Sequence, residues 1–524
     1  MSSQKLSAVL EKLIHRLGLD DFPCGNGSWR ATNPKRVETE ETDALLDLLS
    51  CPHSPWRDDA SWSPQASALR QLTVLTPKRL PADFIYNYFT TLRIVDKDVS
   101  IIDDGLLKFS KLEELLLSAN KISVIPAENL PCTLRILELC ANRLSALNSL
   151  TCGPPPHLQY LGLSSNSLGS HEDVSHLTGR HWPQLVCLDL SDCEFEDQRA
   201  LLDALSTLPC LRTLLLEGNP FTLACCYPGL TVDSLPQLSC LDASWISPEE
   251  RGRFRGLSRM RDLMVKQASA TVSVGRMRGV PDPMISVDEN VPDFPLVTYS
   301  YFISYEFLIH QTTAVLRHST SKLVWSEGVD FSDTQTHAVS DLGRFKRFLN
   351  RGLYLRIEEE KVLSWPAPSE DKGGKGKETP IKSGSTKDKS KDKKKKSVPE
   401  LVHDAPITRV LGSVHVPLHS LLKRGQKVDI LCDLGVLHTE SEDVGKKTKE
   451  DKKKEEKETK QRGGSGRQKN TAASKGKGRK DSVMDVPTDN SVSVPLEPVT
   501  VELRVELEKW QSASEVCKPL LSHV

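Results

Sequence analysis

The stretch LEELLLSANKI, Leu112 to Ile122, can be read two ways. Leu112, Leu115 and Leu116 fall at helical spacing, whereas Leu115, Leu117 and the polar Asn120 suit a short strand running into a turn. Periodicity inside the stretch does not separate these readings, but the rest of the chain does.

The same frame returns 22 residues later as LRILELCANRL from Leu134, and again as LQYLGLSSNSL from Leu158. LVCLDLSDCEF follows from Leu185, LRTLLLEGNPF from Leu211 and LSCLDASWI from Leu238, while a weaker FTTLRIVDKDV precedes them at Phe89. Intervals of 22 to 27 residues fall in or near the range of the leucine-rich repeat, whose pattern LxxLxLxxNxL these frames follow. The opening stretch is therefore a strand. Apolar residues at the first, fourth and sixth positions must point into a core shared between coils, because one coil cannot bury its apolar face alone. Asn120, Asn142, Asn166 and Asn219 occupy the turn, where an amide can satisfy backbone groups left over as the chain leaves the strand. Lys97 and Cys193 take that place in two coils.

Ser234 to Arg251, SLPQLSCLDASWISPEER, resembles the C-terminal cap of intracellular leucine-rich repeat proteins such as the axonemal dynein light chain and the nuclear phosphatase-regulating subunit. Leu235, Pro236, Leu238, Leu241 and Asp242 carry that match. NPFTLACCYPGL is similar to a cysteine-stapled extracellular cap, but Cys225 and Cys226 are adjacent and no apolar leader opens the chain, so an intracellular protein with reduced thiols is expected. At the other end, 6–18 and 39–50 have helical apolar spacing and are read as an N-terminal helical cap within 1–88, ahead of repeats and cap at 89–251.

In this fold the strand residues between the core leucines face outward. Arg93, Glu114, Leu116, Ile136, Glu138, Tyr160, Asp189 and Leu215 are thus candidates for binding a protein on the concave face.

Beyond a connector at 252–291 the period becomes strict alternation. VTYSYFISYEFLI sets Tyr299, Tyr301, Ile303, Tyr305, Phe307 and Ile309 on one face, and further strands are read at KLVWS, LYLRIE, ITRVLGSVHVPL, KVDILCDL and TVELRVELE. The expectation is an all-β sandwich made of 292–365, 401–440 and 495–510. The strand order is similar to the second half of C-two domains, the calcium- and lipid-binding sandwiches. The loop that would hold calcium has Asp371, Asp388 and Asp392 scattered among lysines with no paired aspartates, so neither calcium nor any other metal or cofactor is expected.

The insertions 366–400 and 441–494 are rich in lysine and read as disordered. Residues 371–397 carry a formal charge of +7 and 445–482 one of +9, which leaves −17 on the remainder of a chain of net charge −1. If successive strands are antiparallel, both insertions leave the same end of the sandwich as one basic brush, suited to microtubules or another acidic surface. No aromatic residue is interleaved, so nucleic acid is not an expected partner, and neither is a membrane, for lack of an apolar span.

No phosphate loop, GxSxG, HExxH or kinase motif is present, and no catalytic residue can be named. FPCGNGSW, LRIVDKDVSIID, EEEKVLSWP and the lysine insertions together resemble one vertebrate intracellular repeat protein over nearly the whole chain, and the resemblance implies no activity. The sequence thus points to a non-enzymatic adaptor, cytoplasmic and by analogy of its cap axonemal. The alternatives are a regulatory subunit of a phosphatase or other enzyme, and a peripheral membrane-binding sandwich.

Overall fold

The structure, a computed structural model, describes residues 4–17, 60–75, 82–263, 267–280, 294–308, 310–318, 328–367, 401–423, 425–436 and 497–517, with isolated positions 47, 51 and 53. The expected helix at 39–50, the strand at KLVWS and both lysine insertions lie outside the described residues or nearly so.

The repeat frames form one eight-stranded sheet in chain order. Strands β1 (Thr91–Arg93), β2 (Glu114–Leu116), β3 (Ile136–Glu138), β4 (Tyr160–Gly162), β5 (Cys187–Asp189), β6 (Thr213–Leu215) and β7 (Cys240–Leu241) run parallel, and β8 (Ser244–Trp245) turns back antiparallel on the last. The register aligns Leu92, Leu115, Leu137, Leu161, Leu188 and Leu214 in one fully buried row.

Each turn is built alike. The residue before the asparagine position has positive φ: Asp96, Ala119, Ala141, Ser165, Asp192 and Gly218. Small or short polar side chains meet the least resistance there. The asparagine then ties neighbouring coils together. Asn166 Nδ2 donates to Leu139 O at 3.0 Å and Leu163 O at 2.9 Å, while its Oδ1 accepts from Leu144 N at 3.0 Å. Asn120, Asn142 and Asn219 repeat the pattern, as the sequence led one to expect. At Cys193 the buried thiol donates to Leu163 O at 3.4 Å, and burial pushes its pKa to about 12.

Helix α1 (Leu6–Arg16) lays Leu6, Val9, Leu10 and Leu13 into the solenoid core. It is anchored by Ser7, whose amide donates to Asp103 at 3.0 Å and whose hydroxyl does so at 2.5 Å. At the far end, a helix at Pro248–Arg253 holds Arg251, which donates to Val232 O at 3.2 Å and Leu238 O at 2.7 Å.

The C-terminal half consists of two antiparallel sheets. One has the order β11 (His310–His318), β10 (Leu296–Phe307), β13 (Leu353–Pro366), β14 (Leu401–His403), with β15 (Ile407–Val416) also on β13. The other runs β12 (Val329–Val339), β9 (Ala268–Arg278), β17 (Thr500–Leu507), β16 (Lys427–Asp433). Each buries an alternating face, Tyr301, Ile303, Tyr305 and Phe307 on β10 and Val501, Leu503, Val505 and Leu507 on β17.

Three features depart from the sequence reading. The span 252–291 is no mere connector, because it contains β9, a central strand. Its first three residues, Ala268, Ser269 and Ala270, are small and all buried, so the strand opens without the alternation of large apolar and polar side chains that marks β10. Strands β11 and β12, outside the strands expected from sequence, edge the two sheets. Helix α2 (Leu342–Arg351) joins β12 to β13; its signals were an aspartate cap, Asp341, accepting from Arg344 N at 2.8 Å, and a closing Gly352 at φ 82°.

Helix α2 is also where the two halves meet. Gly343 lies so close to Glu196 of the solenoid that a Cβ would fall 2.4 Å from its carboxylate. Lys346, buried to 3 % exposure, donates to Cys193 O at 2.7 Å and Glu194 Oε1 at 3.0 Å, with Asp192 at 3.4 Å. Past β17, Lys509 Nζ donates to Thr222 O at 2.5 Å and Ala224 O at 3.0 Å, and Trp510 N to Cys225 O at 2.9 Å. Enclosure of its ammonium lowers the Lys509 pKa to about 8. The adjacent Cys225 and Cys226 are thus buried free thiols beside a docking seam.

Candidate functional site

The open face of the solenoid is ruled by the register. One row across the strands reads Thr91, Glu114, Ile136, Tyr160, Cys187, Thr213, Cys240 and, on β8, Trp245; the other reads Arg93, Leu116, Glu138, Gly162, Asp189, Leu215. All eight residues picked out from sequence fall in these rows. Arg93 is exposed, and Glu114, Leu116, Ile136, Glu138, Tyr160, Asp189 and Leu215 are half-buried. Half-burial follows from curvature, which brings neighbouring side chains on the inner face together.

The middle of the face is a bonded cluster. Tyr160 donates its hydroxyl to Glu138 Oε2 at 2.5 Å, and Cys140 N donates to Glu138 Oε1 at 3.2 Å. Gly162 makes this possible: a Cβ there would stand 2.4 Å from the Glu138 carboxylate, so that carboxylate leans over a notch only glycine leaves open. Burial, outweighing the bond from Tyr160, raises the Glu138 pKa, and Asp189 adds to the rise. Burial and the neighbouring carboxylate likewise raise the Tyr160 pKa. The Cys187 thiol is pushed up to about 11 by burial and Asp189, which keeps it protonated and poorly nucleophilic near neutral pH. Asp189 accepts from Ser191 N at 2.9 Å.

Burial shifts the Glu138 carboxyl and the Cys187 thiol toward their neutral forms, and the hydrogen bonds of Glu138 run within the cluster. Among the described residues no group of three or more His, Cys, Asp or Glu is placed to hold a metal ion, and no helix is long and apolar enough to cross a membrane. On either side of the cluster Leu116 and Leu215 supply apolar surface. Trp245 was missed from sequence because it follows the last LxxLxL frame; its place after the DAS turn, on a returning strand paired to Cys240, was the available signal.

Two family models match the chain: the leucine-rich repeat-containing protein 43 N-terminal domain over residues 13–81 and the C-terminal domain over 310–522. Leucine-rich repeat-containing protein 43 of Homo sapiens is 31% identical, across 98% of this chain and 95% of its own length. The chain belongs to the leucine-rich repeat-containing protein 43 family. The Mus musculus protein of that name is also 31% identical, across 98% of this chain and 96% of its own. The family models flank the repeats and include both the last turn of α1 and the lysines of the seam, Lys346 and Lys509. Among solved structures, an internalin (inlF) from Listeria monocytogenes aligns with TM-score 0.25 and 18% identity over 37% of this chain and 62% of its own. A chain of the Drosophila melanogaster SNF/U2A' complex aligns with TM-score 0.22 and 20% identity over 33% of this chain and 85% of its own. Membership in a leucine-rich-repeat family suggests protein–protein interaction.

Proposed function

We propose that this chain is a non-enzymatic adaptor that holds a protein partner on the open face of β2 to β6. The observation that carries the reading is the register. It sets two half-buried leucines, Leu116 and Leu215, on either side of an acidic and aromatic centre of Glu138, Tyr160 and Asp189. Apolar flanks with oriented polar groups between them are what a specific partner surface requires. The C-terminal sheets serve as a second arm, with their alternating buried faces opposed as a sandwich.

The topology of that arm supports a division of labour. α2, the turn at His419–Leu422 and Lys509 lie at the strand ends nearer the solenoid. The lysine-rich segments join the chain at Pro366 and Leu401, and between Asp433 and Thr500, at the opposite strand ends. In this reading they meet an acidic surface away from the solenoid, and the cap's similarity to the axonemal dynein light chain favours a ciliary setting.

The test is affinity purification of tagged full-length chain from multiciliated cells, with Leu116→Glu/Leu215→Glu compared with wild type at matched stability. Loss of the same stoichiometric protein from the variant supports the reading. Identical bound sets would refute it. Deleting 371–397 and 445–482 should remove co-sedimentation with microtubules and leave that protein bound.

A further inference from the structure

At the end away from the solenoid, one C-terminal sheet runs on past the other. On β13, Leu353, Leu355 and Ile357 are buried and Tyr354 and Arg356 between them exposed, but every residue from Glu358 to Leu363 is half-buried. Strict alternation belongs to a strand covered on one face, and its loss shows where the cover stops. Gly412, paired with Ile357, gives the same position: a Cβ there would fall 2.8 Å from Leu434 Cδ2, so the chain leaving β16 lies over the sheet at that point. Val499 N donates to Gly435 O at 2.9 Å, which closes the far end of the covering sheet.

Beyond that line β10, β13, β14 and the start of β15 continue as a ledge. Paired residues of an antiparallel sheet share a face. The register therefore sets Val297 beside Leu363, Tyr299 beside Lys361 and Ile407, and Trp365 beside Val402, all on the face that carries Ile357 further in. Ile407 is 56%, Val402 51% and Trp365 41% exposed. Trp365 Nε1 donates to Asp404 Oδ2 at 2.7 Å, and Lys361 Nζ stands over the Tyr299 ring at 6.0 Å. Contiguous exposed apolar residues with anchored aromatics are the mark of an interaction surface.

The chemistry of the occupant follows from where the chain leaves and rejoins the ledge. β13 ends at Pro366 and β14 starts at Leu401, and residues 371–397 between them carry a formal charge of +7. An apolar floor whose strands run into lysines is complementary to an acidic segment that also bears apolar side chains. The step from the floor up to Leu434 is concave, so an extended chain can lie along it, whereas a flat bilayer is held off the floor.

We infer that the ledge receives an extended acidic segment of a partner protein, with apolar side chains on Val402 and Ile407 and a carboxylate toward Lys361. The inference rests on the proposed meeting of the lysine-rich segments with an acidic surface, and adds the folded, apolar half of that contact.

The experiment is fluorescence anisotropy on the full chain with labelled, end-blocked polyglutamate peptides of equal charge, carrying at their centre either two leucines or two serines. The leucine peptide should bind at least about tenfold tighter than the serine peptide. Val402→Ser/Ile407→Ser, both at exposed positions and checked for folding by circular dichroism, should abolish that advantage and leave the serine peptide unchanged. Failure of the serine peptide to bind would refute the acidic-surface reading and the ledge with it. Binding of both peptides with no leucine advantage, or an advantage that survives in the variant, would overturn the ledge alone. Phosphatidylserine vesicles captured by wild type and released by the variant would overturn it in favour of a lipid surface, and self-association lost in the variant on sedimentation would do so in favour of a second copy.

Discussion

At Asn120, Asn142 and Asn166 an amide supplied by the coil itself ties the turn after the strand to its neighbours. At Cys193 a thiol stands in the amide's place, and the residue's own carbonyl, which the asparagine side chains of the other coils do not take, accepts from Lys346, an ammonium from a helix 153 residues further along the chain. The thiol reaches two of the carbonyls an asparagine would take, Leu163 O at 3.4 Å and Ser191 O at 3.6 Å, but has neither the amide's third donor contact nor its oxygen to accept from the next backbone amide. What this teaches is that the exception in the repeat marks where the repeat stops being self-sufficient and the C-terminal half attaches. Asn219, in the next coil, keeps its amide, and there Lys509 takes carbonyls beyond the turn, at Thr222 and Ala224.

The comparison can be broken at several strengths. Leu139→Ala, in the middle of the shared core, should cost about 2 to 5 kcal/mol of unfolding free energy in a denaturant titration, because the flanking coils hold the cavity open. Asn166→Ala should cost about 1 to 3 kcal/mol by leaving buried carbonyls and the Leu144 amide without their partner, and Cys193→Ala clearly less. Lys346→Met keeps the apolar stem and removes only the cation. Its cost should be about 1 to 2 kcal/mol, since Asp192 and Glu194 remain half exposed to water, and hydrogen exchange should quicken in 341–352 before it does in β2 to β4.

The smallest effects concern pH and run in opposite directions in the two halves. Burial raises the Glu138 pKa above its ordinary 4.5, so the folded state takes up that proton first and the group's contribution to stability rises as pH falls through the folded pKa. His337, stacked on Phe307 at 4.1 Å, has its pKa lowered below 6.5 by burial. There the unfolded chain takes up the proton first, so the contribution present above pH 6.5 is lost as pH falls below it. Thermal melts between pH 8 and pH 5 should show a slope that flattens in His337→Phe, while Glu138→Gln alters only the acid end.

The solenoid was legible in the sequence because its pattern is written several times over, so that Lys97 or Cys193 can depart without hiding the frame. The eight face residues followed from that frame alone. What the register could not convey was that Glu138, Tyr160 and Gly162 form one bonded unit, since this depends on side-chain reach between coils. The antiparallel half has no such redundancy. β10 and β17 announced themselves through large alternating residues, whereas β9 opened with small buried ones and was missed. Neither Lys346 nor Lys509 stands in a motif or repeat frame. Their burial is a property of contacts made across 153 and 285 residues of chain, which local pattern does not encode.

The central claim is that a partner sits on the open face, and site-directed photo-crosslinking tests it most directly. A benzophenone amino acid is placed at Leu215, on that face, or at Val124, exposed on the loop after β2 and outside it. The account predicts one discrete adduct from Leu215 in ciliated-cell extract and none of that mass from Val124. An adduct from Val124 with none from Leu215 would place the partner elsewhere and contradict it.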